Sequence, residues 1–255
     1  QGERLVRRLE HAGAAVLHRP TLRIAAVTPE RVEGPTPPDW VVFTSPNAVA
    51  FGVDQLSAAI RSQARIAAVG PGTAAAAAQQ GLPVDAAPSV GGGADALLDT
   101  PAFDVGAAAH VLIIRGEGGR RRLVSGLEGR GARVREAAVY RRMPAADRLS
   151  IPEEWQALPL DCTIVTSGSG LSYLLGMVGP PALEWIMNSR LVTVSERIAA
   201  AATAAGFEAP AIATGADDAA ITRAVCAALQ RESDEQDRQG QAEGPRDDIA
   251  RRPRG

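Results

Sequence analysis

The sequence DWVVFTSPNAVAFGVDQL, residues 39 to 56, predicts a buried strand, a polar turn and a helix. Residues 40 to 43 are β-branched or aromatic, which is typical of a parallel strand buried on both faces. Ser45 is suited to cap the following helix, and Pro46 is suited to its first turn. Because a strand that ends in hydroxyls and free helix N–H groups attracts anions, this turn is a candidate binding site.

The same pattern recurs at residues 161 to 175, DCTIVTSGSGLSYLL, where Thr166 and Ser167 match Thr44 and Ser45. The offset, 161 less 39, is 122 residues. Residues 65 to 81 match 190 to 206 at an offset of 125 (190 less 65), and 5 to 16 match 123 to 134 at 118 (123 less 5). The chain is therefore predicted to consist of two related halves.

The third match also predicts what precedes the sequence. A strand pattern, HVLIIRG at 110 to 116, stands before residue 123, whereas only four residues precede Leu5 and the first of them is Gln. We expect either that a strand and its following turn have been lost before residue 1 or that the numbering begins inside a longer chain.

The composition is that of a globular chain with enough apolar residues for two cores: 255 residues, 45% hydrophobic and 22% charged. All 27 basic residues are Arg, which excludes lysine-based catalysis, and the net charge of −2 argues against broad nucleic-acid binding. No apolar run in the sequence reaches the length of a membrane span. Cys162 and Cys226 have no metal-binding spacing and are expected to be buried, so no metal site is predicted.

Alternating strand and helix patterns predict an α/β fold with two doubly wound parallel-sheet domains, one inserted in the other. The inserted domain is expected at 36–138, and the discontinuous one at 1–20 plus 150–230, with its first strand missing. Residues 21–35 and 139–149 are interpreted as connectors between the domains. Residues 231–255 have few apolar side chains and are predicted to form a disordered tail.

The candidate substrate-binding residues follow the predicted strands, because ligands of doubly wound sheets bind beyond the carboxyl ends of the strands. They are Thr44, Ser45, Pro46, Asn47, Gly70, Gly72, Thr73, Arg115, Gly116, Ser167, Gly168, Ser169 and Ser195. None of these turns has the spacing of a P-loop or a dinucleotide-binding motif. A ligand with several separated anionic groups suits them better than a nucleotide. The alternative is that the Ser and Thr residues only cap helices.

The ordered motifs VVFTSPNAV, AAVGPGTA, LIIRGEGGRRRL, GARVREAAVYRR, IVTSGSGL and VSERIAAAATAAGF resemble the uroporphyrinogen-III synthase family of tetrapyrrole (haem, sirohaem and cobalamin) biosynthesis. The resemblance spans about residues 3 to 229, although the family's opening strand with Thr-Arg-Pro is absent. It implies two α/β domains joined by a two-stranded connector, with the active site in the cleft between them. It also implies a cyclising hydro-lyase that acts on hydroxymethylbilane, inverts ring D, releases water and needs no cofactor.

By the same resemblance, Tyr140 matches a tyrosine of the family's second connector, and its phenol is expected to hydrogen-bond the departing hydroxyl as an acid. The alternative is an aromatic side chain that packs between the domains. The resemblance and the low cysteine content favour a cytoplasmic monomer without nucleic-acid or membrane partners, with hydroxymethylbilane synthase as a candidate donor of the substrate. Two other functions fit the same residues: a non-catalytic two-domain polyanion-binding protein, and a regulatory protein derived from the synthase.

Overall fold

The structure of the chain, a computed structural model, describes residues 2–30, 32–119 and 121–242, and only the backbone from 231 onward. The helices are α1 (Glu3–His11), α2 (Pro46–Gly52), α3 (Ala58–Gln63), α4 (Pro71–Gln79), α5 (Ala94–Leu98), α6 (Arg122–Gly129), α7 (Glu153–Gln156), α8 (Gly168–Met177), α9 (Pro180–Met187), α10 (Glu196–Ala204) and α11 (Asp218–Ala242), with a 3₁₀ turn at Val53–Gln55. The strands are β1 (Leu22–Ala26), β2 (Trp40–Phe43), β3 (Arg65–Ala68), β4 (His110–Gly116), β5 (Arg133–Pro144), β6 (Cys162–Val165), β7 (Arg190–Thr193) and β8 (Ala211–Ile212).

The chain divides into two compact units. The continuous unit is Arg23–Met143, and the split unit comprises the described residues of Gln1–Leu22 and Pro144–Gly255. The chain therefore passes from one unit to the other twice. Both units combine helices with a sheet in which the paired strands β2, β3, β4 and β5, and likewise β6, β7 and β8, run parallel. The predicted α/β fold class is confirmed.

The observed boundaries of the continuous unit differ from the expected ones. The sequence interpretation places 21–35 and 139–149 in connectors, whereas 23–35 and 139–143 belong to this unit. The reason is that β1 pairs with β5, and Val27 N donates a hydrogen bond to Val139 O at 2.9 Å. Since β5 continues to Pro144, a boundary at 138 falls inside a strand.

The C-terminal end also differs from the expectation. The interpretation begins a disordered tail at 231, but α11 continues to Ala242. Residues 231 to 242 are rich in Glu, Gln and Arg and contain no proline, and such residues favour a helix despite their polarity. Residues 243–255 lie outside the described part of the chain.

The sheet of the continuous unit has the order β1-β5-β4-β2-β3, and all four residues of β2 are buried. Alternate side chains of β2 enter opposite cores: Val41 and Phe43 pack on one face, and Trp40 and Val42 on the other. From β2 the chain moves outward to β3 and then returns to the other side of β2 as β4. The winding therefore reverses between β2 and β4, which is where doubly wound sheets bind ligands.

The split unit has a smaller sheet of order β6-β7-β8. Leu9 of α1 is buried in one cluster with Ile221 and Val225 of α11, and a second cluster joins α8, α9 and α10 to the other face. Three of the four residues of β6 are only half-buried, because β6 is an edge strand among the described strands.

Candidate functional site

Tyr140, the predicted catalytic residue, lies near the carboxyl ends of β2 and β4. Its side chain is 2% exposed and belongs to the core of the continuous unit. The phenol Oη lies 3.0 Å from Ser45 Oγ, and Arg142 Nη2 donates a hydrogen bond to it at 3.3 Å. The fold thus brings the predicted catalytic Tyr140 and the predicted binding residue Ser45 together.

A β-bulge and a glycine make room for the Tyr140 ring. The register of β4 on β5 shifts between Arg115 and Gly116, so that Gly116 lies opposite Tyr140. A Cβ on Gly116 would lie 2.5 Å from Tyr140 Cζ and 2.9 Å from Oη. Gly116, predicted as a binding residue, therefore also has a packing role, because any side chain there would displace the phenol.

The ends of β4, β2 and β3 lie side by side. Thr44 donates twice to Ile114 O, from its backbone N at 3.1 Å and from Oγ1 at 3.2 Å. Val69 N donates to Phe43 O at 3.1 Å, which places the turn after β3 beside the turn after β2. Three neighbouring strand ends therefore form one edge that carries most of the predicted site residues.

The turn after β2 caps α2 as expected. Ser45 has an extended backbone, and its Oγ accepts a hydrogen bond from Ala48 N at 3.0 Å. Pro46 is the first residue of α2 and is exposed, and Asn47 follows it half-buried. The capping interpretation is thus satisfied at Ser45, which in addition faces Tyr140.

The turn after β3 places Thr73 in the first turn of α4. Thr73 is 4% exposed, and its side chain forms no hydrogen bond with a described residue. Gly70 is packed closely, since a Cβ there would lie 3.3 Å from Gly91 O. Gly72 faces open space, with no atom within 4 Å of its Cβ position. The first turn of α4 is therefore open on the side of Gly72, whereas Thr73 N donates to Gly70 O at 3.1 Å.

Arg115 is engaged by protein groups. Its guanidinium forms an ion pair with Glu136 and hydrogen bonds with the carbonyls of Gly118 and Gly116, and its side chain is 14% exposed. Arg121 also reaches Glu136, at 3.4 Å. Arg115 and Arg121 therefore share a single carboxylate, which does not neutralise both guanidiniums.

The predicted residues of the split unit cap helices. Ser167 Oγ accepts from Gly170 N at 2.9 Å at the start of α8, and Ser195 Oγ accepts from Ile198 N at 3.4 Å at the start of α10. Gly168 is the first residue of α8, and Ser169 is exposed. These four residues lie at the carboxyl ends of β6 and β7.

Two arginines at these edges are absent from the sequence prediction. Arg142 follows Tyr140 by two residues in a strand, and this spacing is a signal that both side chains lie on one face. Arg197 is exposed in the first turn of α10, with Nη1 3.0 Å from the Cβ position of Gly168. No sequence signal indicates that contact, because it joins two helices of the split unit.

The cysteine side chains differ in burial. Cys226 is exposed on α11, so the expectation that both cysteines are buried is wrong for Cys226. Cys162 is half-buried in β6, and burial raises the pKa of its thiol to about 12, with a further increase from Asp161 and an opposing effect of Arg190. Cys162 is thus a protonated thiol and a poor nucleophile near neutral pH.

Three further observations concern a helix cap, the side chains that could bind a metal ion, and the length of the apolar helices. Hydrogen bonds from Ala220 N and Ala219 N lower the pKa of Asp217, which caps α11. Within the described ranges, no group of three or more His, Cys, Asp or Glu side chains is placed to hold a metal ion. The helices in the same ranges include none that is both long and apolar enough to cross a membrane.

Known proteins resemble the chain over nearly its whole length. The profile of the family uroporphyrinogen-III synthase HemD matches residues 3–223. The uroporphyrinogen-III synthase of Escherichia coli K12 is 31% identical over 239 residues, which cover 88% of this chain and 95% of that protein. The uroporphyrinogen-III synthase of Salmonella typhimurium LT2 is 32% identical over 241 residues, with the same coverage of 88% and 95%.

Solved structures share the fold. The crystal structure of uroporphyrinogen-III synthetase from Helicobacter pylori 26695 aligns with a TM-score of 0.59 and 18% identity, over 81% of this chain and 90% of that one. A mutant uroporphyrinogen III synthase from the extremely thermophilic bacterium Thermus thermophilus aligns with a TM-score of 0.53 and 20% identity, over 90% and 95%. Because the family profile and relatives above 30% identity cover most of the sequence, the chain belongs to the uroporphyrinogen-III synthase family.

Proposed function

We propose that this chain catalyses the uroporphyrinogen-III synthase reaction, in which hydroxymethylbilane is closed to a macrocycle with inversion of ring D and loss of water. The observation that carries the proposal is Tyr140: in a chain of this family, a buried phenol lies at the edge where β2 and β4 end, within hydrogen-bonding distance of Ser45. The proposed enzyme is a lyase of porphyrin biosynthesis that works without a cofactor.

The reaction needs an acid at one oxygen atom. The bond between the hydroxymethyl carbon and its oxygen breaks, the electron pair leaves with the oxygen, and the oxygen gains a proton and departs as water. A carbon of ring D then attacks the exposed carbon to give a spiro intermediate. Rearrangement closes the macrocycle, and the pyrrole carbon at the closure loses a proton, so that the net change is the loss of one water. In the proposal, Tyr140 donates the hydrogen bond to the departing hydroxyl.

The pyrroles are nucleophilic by themselves, so the protein must hold the reacting ends and prevent direct closure to the uninverted isomer. The bilane carries an acetate and a propionate on each ring, and the strand-end turns of each unit are the proposed carboxylate sites. The turns in question are Thr44–Asn47, Gly70–Thr73, Arg115–Gly116, Ser167–Ser169 and Ser195. A helix N-terminus contributes about 0.3 to 1 kcal/mol to a nearby anion when exposed and up to about 2 kcal/mol when partly buried, so several are needed.

The proposal also covers the supply of the substrate, the cellular location of the enzyme and its oligomeric state. Hydroxymethylbilane cyclises spontaneously, which favours direct supply by hydroxymethylbilane synthase as the enzyme that makes it. Cys162 and Cys226 are both free, as is usual for thiols in a reducing compartment, and this supports a cytoplasmic location. We expect a monomer, which a mass measurement in solution with and without the bilane tests.

The deciding experiment is incubation of the purified chain with hydroxymethylbilane, followed by oxidation and separation of the uroporphyrin isomers. The expected product is isomer III, whereas buffer alone yields isomer I. A non-catalytic polyanion-binding protein would bind the bilane and leave isomer I as the product. A regulatory descendant of the synthase would likewise produce no isomer III, and either outcome rejects the enzyme.

A further inference from the structure

The contact between Ser45 and Tyr140 joins the turn after β2 to the strand that carries the phenol. Ser45 Oγ lies 3.0 Å from Tyr140 Oη, across 95 residues of sequence. The phenol is 2% exposed, and its ring rests on Gly116. The ring plane is thus held by a glycine, and the phenol oxygen by a serine.

Among the described residues, the other hydrogen-bond partners of the two hydroxyls are donors. A guanidinium has no acceptor, so Arg142 Nη2 donates to Tyr140 Oη at 3.3 Å. A backbone N–H has no acceptor either, so Ala48 N donates to Ser45 Oγ at 3.0 Å. The two hydroxyls together carry two protons, and one of these forms the bond between them. The other proton remains for a partner outside the pair.

The cap also fixes the position of Ser45 Oγ. The backbone of Ser45 is extended, and its side chain is bound to the first turn of α2, so Oγ cannot rotate without breaking the cap. A hydroxyl anchored to a helix is a rigid support for a neighbouring phenol. In the arrangement in which Ser45 Oγ donates its one proton to Tyr140 Oη, Ser45 has no proton left to donate to a carboxylate, and the phenol keeps its own proton for the departing hydroxyl.

We infer that Ser45 differs from the other residues of the proposed carboxylate-binding turn Thr44–Asn47 and is a positioning residue: it holds the phenol of Tyr140 in the orientation needed to reach the departing hydroxyl and does not itself bind a substrate carboxylate. The inference rests on the proposed function, and it assigns to Ser45 a role exerted through Tyr140. A phenol that leaves its orientation lowers the rate of the chemical step, while the carboxylate contacts elsewhere keep the substrate bound.

The test is a double-mutant cycle of Ser45→Ala and Tyr140→Phe in the full chain, measured as kcat, KM and isomer ratio with hydroxymethylbilane. We expect Ser45→Ala to lower kcat by about 10- to 100-fold with little change in KM, and to raise the share of isomer I. In the Tyr140→Phe background the same change should have little further effect on kcat, because the phenol oxygen is already absent.

Two further variants separate positioning from capping. Ser45→Gly keeps a residue favoured at a helix start but removes the hydroxyl, and should lower kcat like Ser45→Ala. Ser45→Thr keeps the hydroxyl and should restore much of the rate. Ser57→Ala removes a comparable cap, that of α3, where Ser57 Oγ accepts from Ile60 N, and should leave kcat unchanged.

The outcomes distinguish this inference from the proposed function. If the parent chain makes no isomer III, the function itself is rejected. If the parent is active, a raised KM with unchanged kcat in Ser45→Ala and Ser45→Gly assigns Ser45 to substrate binding and overturns the inference. Losses of kcat that multiply in the double variant overturn it as well, since Ser45 would then act independently of Tyr140.

Discussion

The turn after β2 and the turn after β6 both begin with Thr-Ser, but their surroundings differ. Ser45 Oγ accepts from Ala48 N at 3.0 Å and Ser167 Oγ accepts from Gly170 N at 2.9 Å, so both serines cap a helix in the same way. Ser45 additionally faces the Tyr140 phenol, whereas the described contacts of Ser167 include no tyrosine hydroxyl. Local sequence therefore determines the cap, and the neighbouring strands determine what the cap is next to.

The position of each strand in its sheet explains the difference. β2 lies between β4 and β3 and is buried along its whole length, whereas β6 lies at the edge of the order β6-β7-β8. On one side of β2, the pair β4 and β5 carries Gly116 and Tyr140 to the turn. No described strand lies on the free side of β6. The repeat thus provides two capped turns, and only the turn after β2 lies beside the phenol that we propose as the acid, among the described contacts of the two serines.

The strongest test of this comparison replaces the phenol. Tyr140→Phe keeps the ring and removes the hydroxyl, and we expect kcat to fall by about 100- to 10,000-fold, the usual cost of losing a positioned acid. The matched control is Tyr173→Phe in α8. Tyr173 is the only other tyrosine of the sequence, and it belongs to the split unit, whereas Tyr140 belongs to the continuous unit. Turnover of the Tyr140→Phe variant at the parental rate would assign Tyr140 to packing.

The bulge beside Tyr140 gives the second test. Gly116→Ala places a Cβ 2.5 Å from the Cζ position of Tyr140, so the ring must move and we expect about a 100-fold lower kcat. Thermal unfolding should show a loss of about 1 to 3 kcal/mol from the crowding. Gly176→Ala in α8 serves as the control, since its Cβ meets no atom within 4 Å. A folded Gly116→Ala variant with parental kcat would show that the ring position is unimportant.

The third test concerns the affinity of the chain for hydroxymethylbilane. The match at an offset of 125 pairs Thr73 with Ile198 (198 less 73), and the two side chains are 4% and 2% exposed. An apolar residue therefore suits this helical position, and Thr73→Val should leave the unfolding temperature unchanged. If Thr73 donates to a substrate carboxylate, its loss removes a charge-assisted hydrogen bond, and KM should rise about 10-fold. An unchanged KM would limit Thr73 to packing.

The sequence predicts the parts of this comparison that depend on local signals. The apolar run WVVF predicts β2, and Ser45 with Pro46 predicts the start of α2, because burial and capping depend on adjacent residues. The meeting of Ser45 and Tyr140 has no local signal, since it depends on the register of β4 on β5. Without a family resemblance, nothing in the sequence would distinguish Tyr140 from an aromatic residue that packs in a strand.

Arg115 is a second residue whose contacts cannot be predicted from the local sequence. A guanidinium at a strand end predicts an anion site, but the ion partner of Arg115 is Glu136, which β5 brings alongside β4. Each residue looks like a surface charge in the sequence, because the pairing of two strands cannot be deduced from either strand alone. The ion pair between Arg115 and Glu136 is therefore a property of the sheet.

The last test concerns the exposure of β6 to water. Cys162 is the counterpart of Trp40 (162 less 122), and burial raises the pKa of its thiol to about 12. In the unfolded chain the thiol has a pKa of about 8.5. At a pH between this unfolded pKa and the native pKa, the unfolded chain loses the thiol proton while the native chain keeps it. Stability from this group is then complete below the unfolded pKa and is lost as pH rises toward the native one, at most by about 1.4 kcal/mol per pH unit.

Denaturant unfolding between about pH 8 and 11 of the parent and Cys162→Ala measures this loss, because that window lies between the unfolded and native pKa values. We expect the parent to lose stability relative to Cys162→Ala as the pH rises, and Cys226→Ala, at an exposed position, sets the background. Parallel curves for parent and Cys162→Ala would mean that water reaches β6 along its edge. The contrast with β2 would then be larger than the half-buried side chains indicate, since Trp40 at the matching position is 2% exposed in the interior of its sheet.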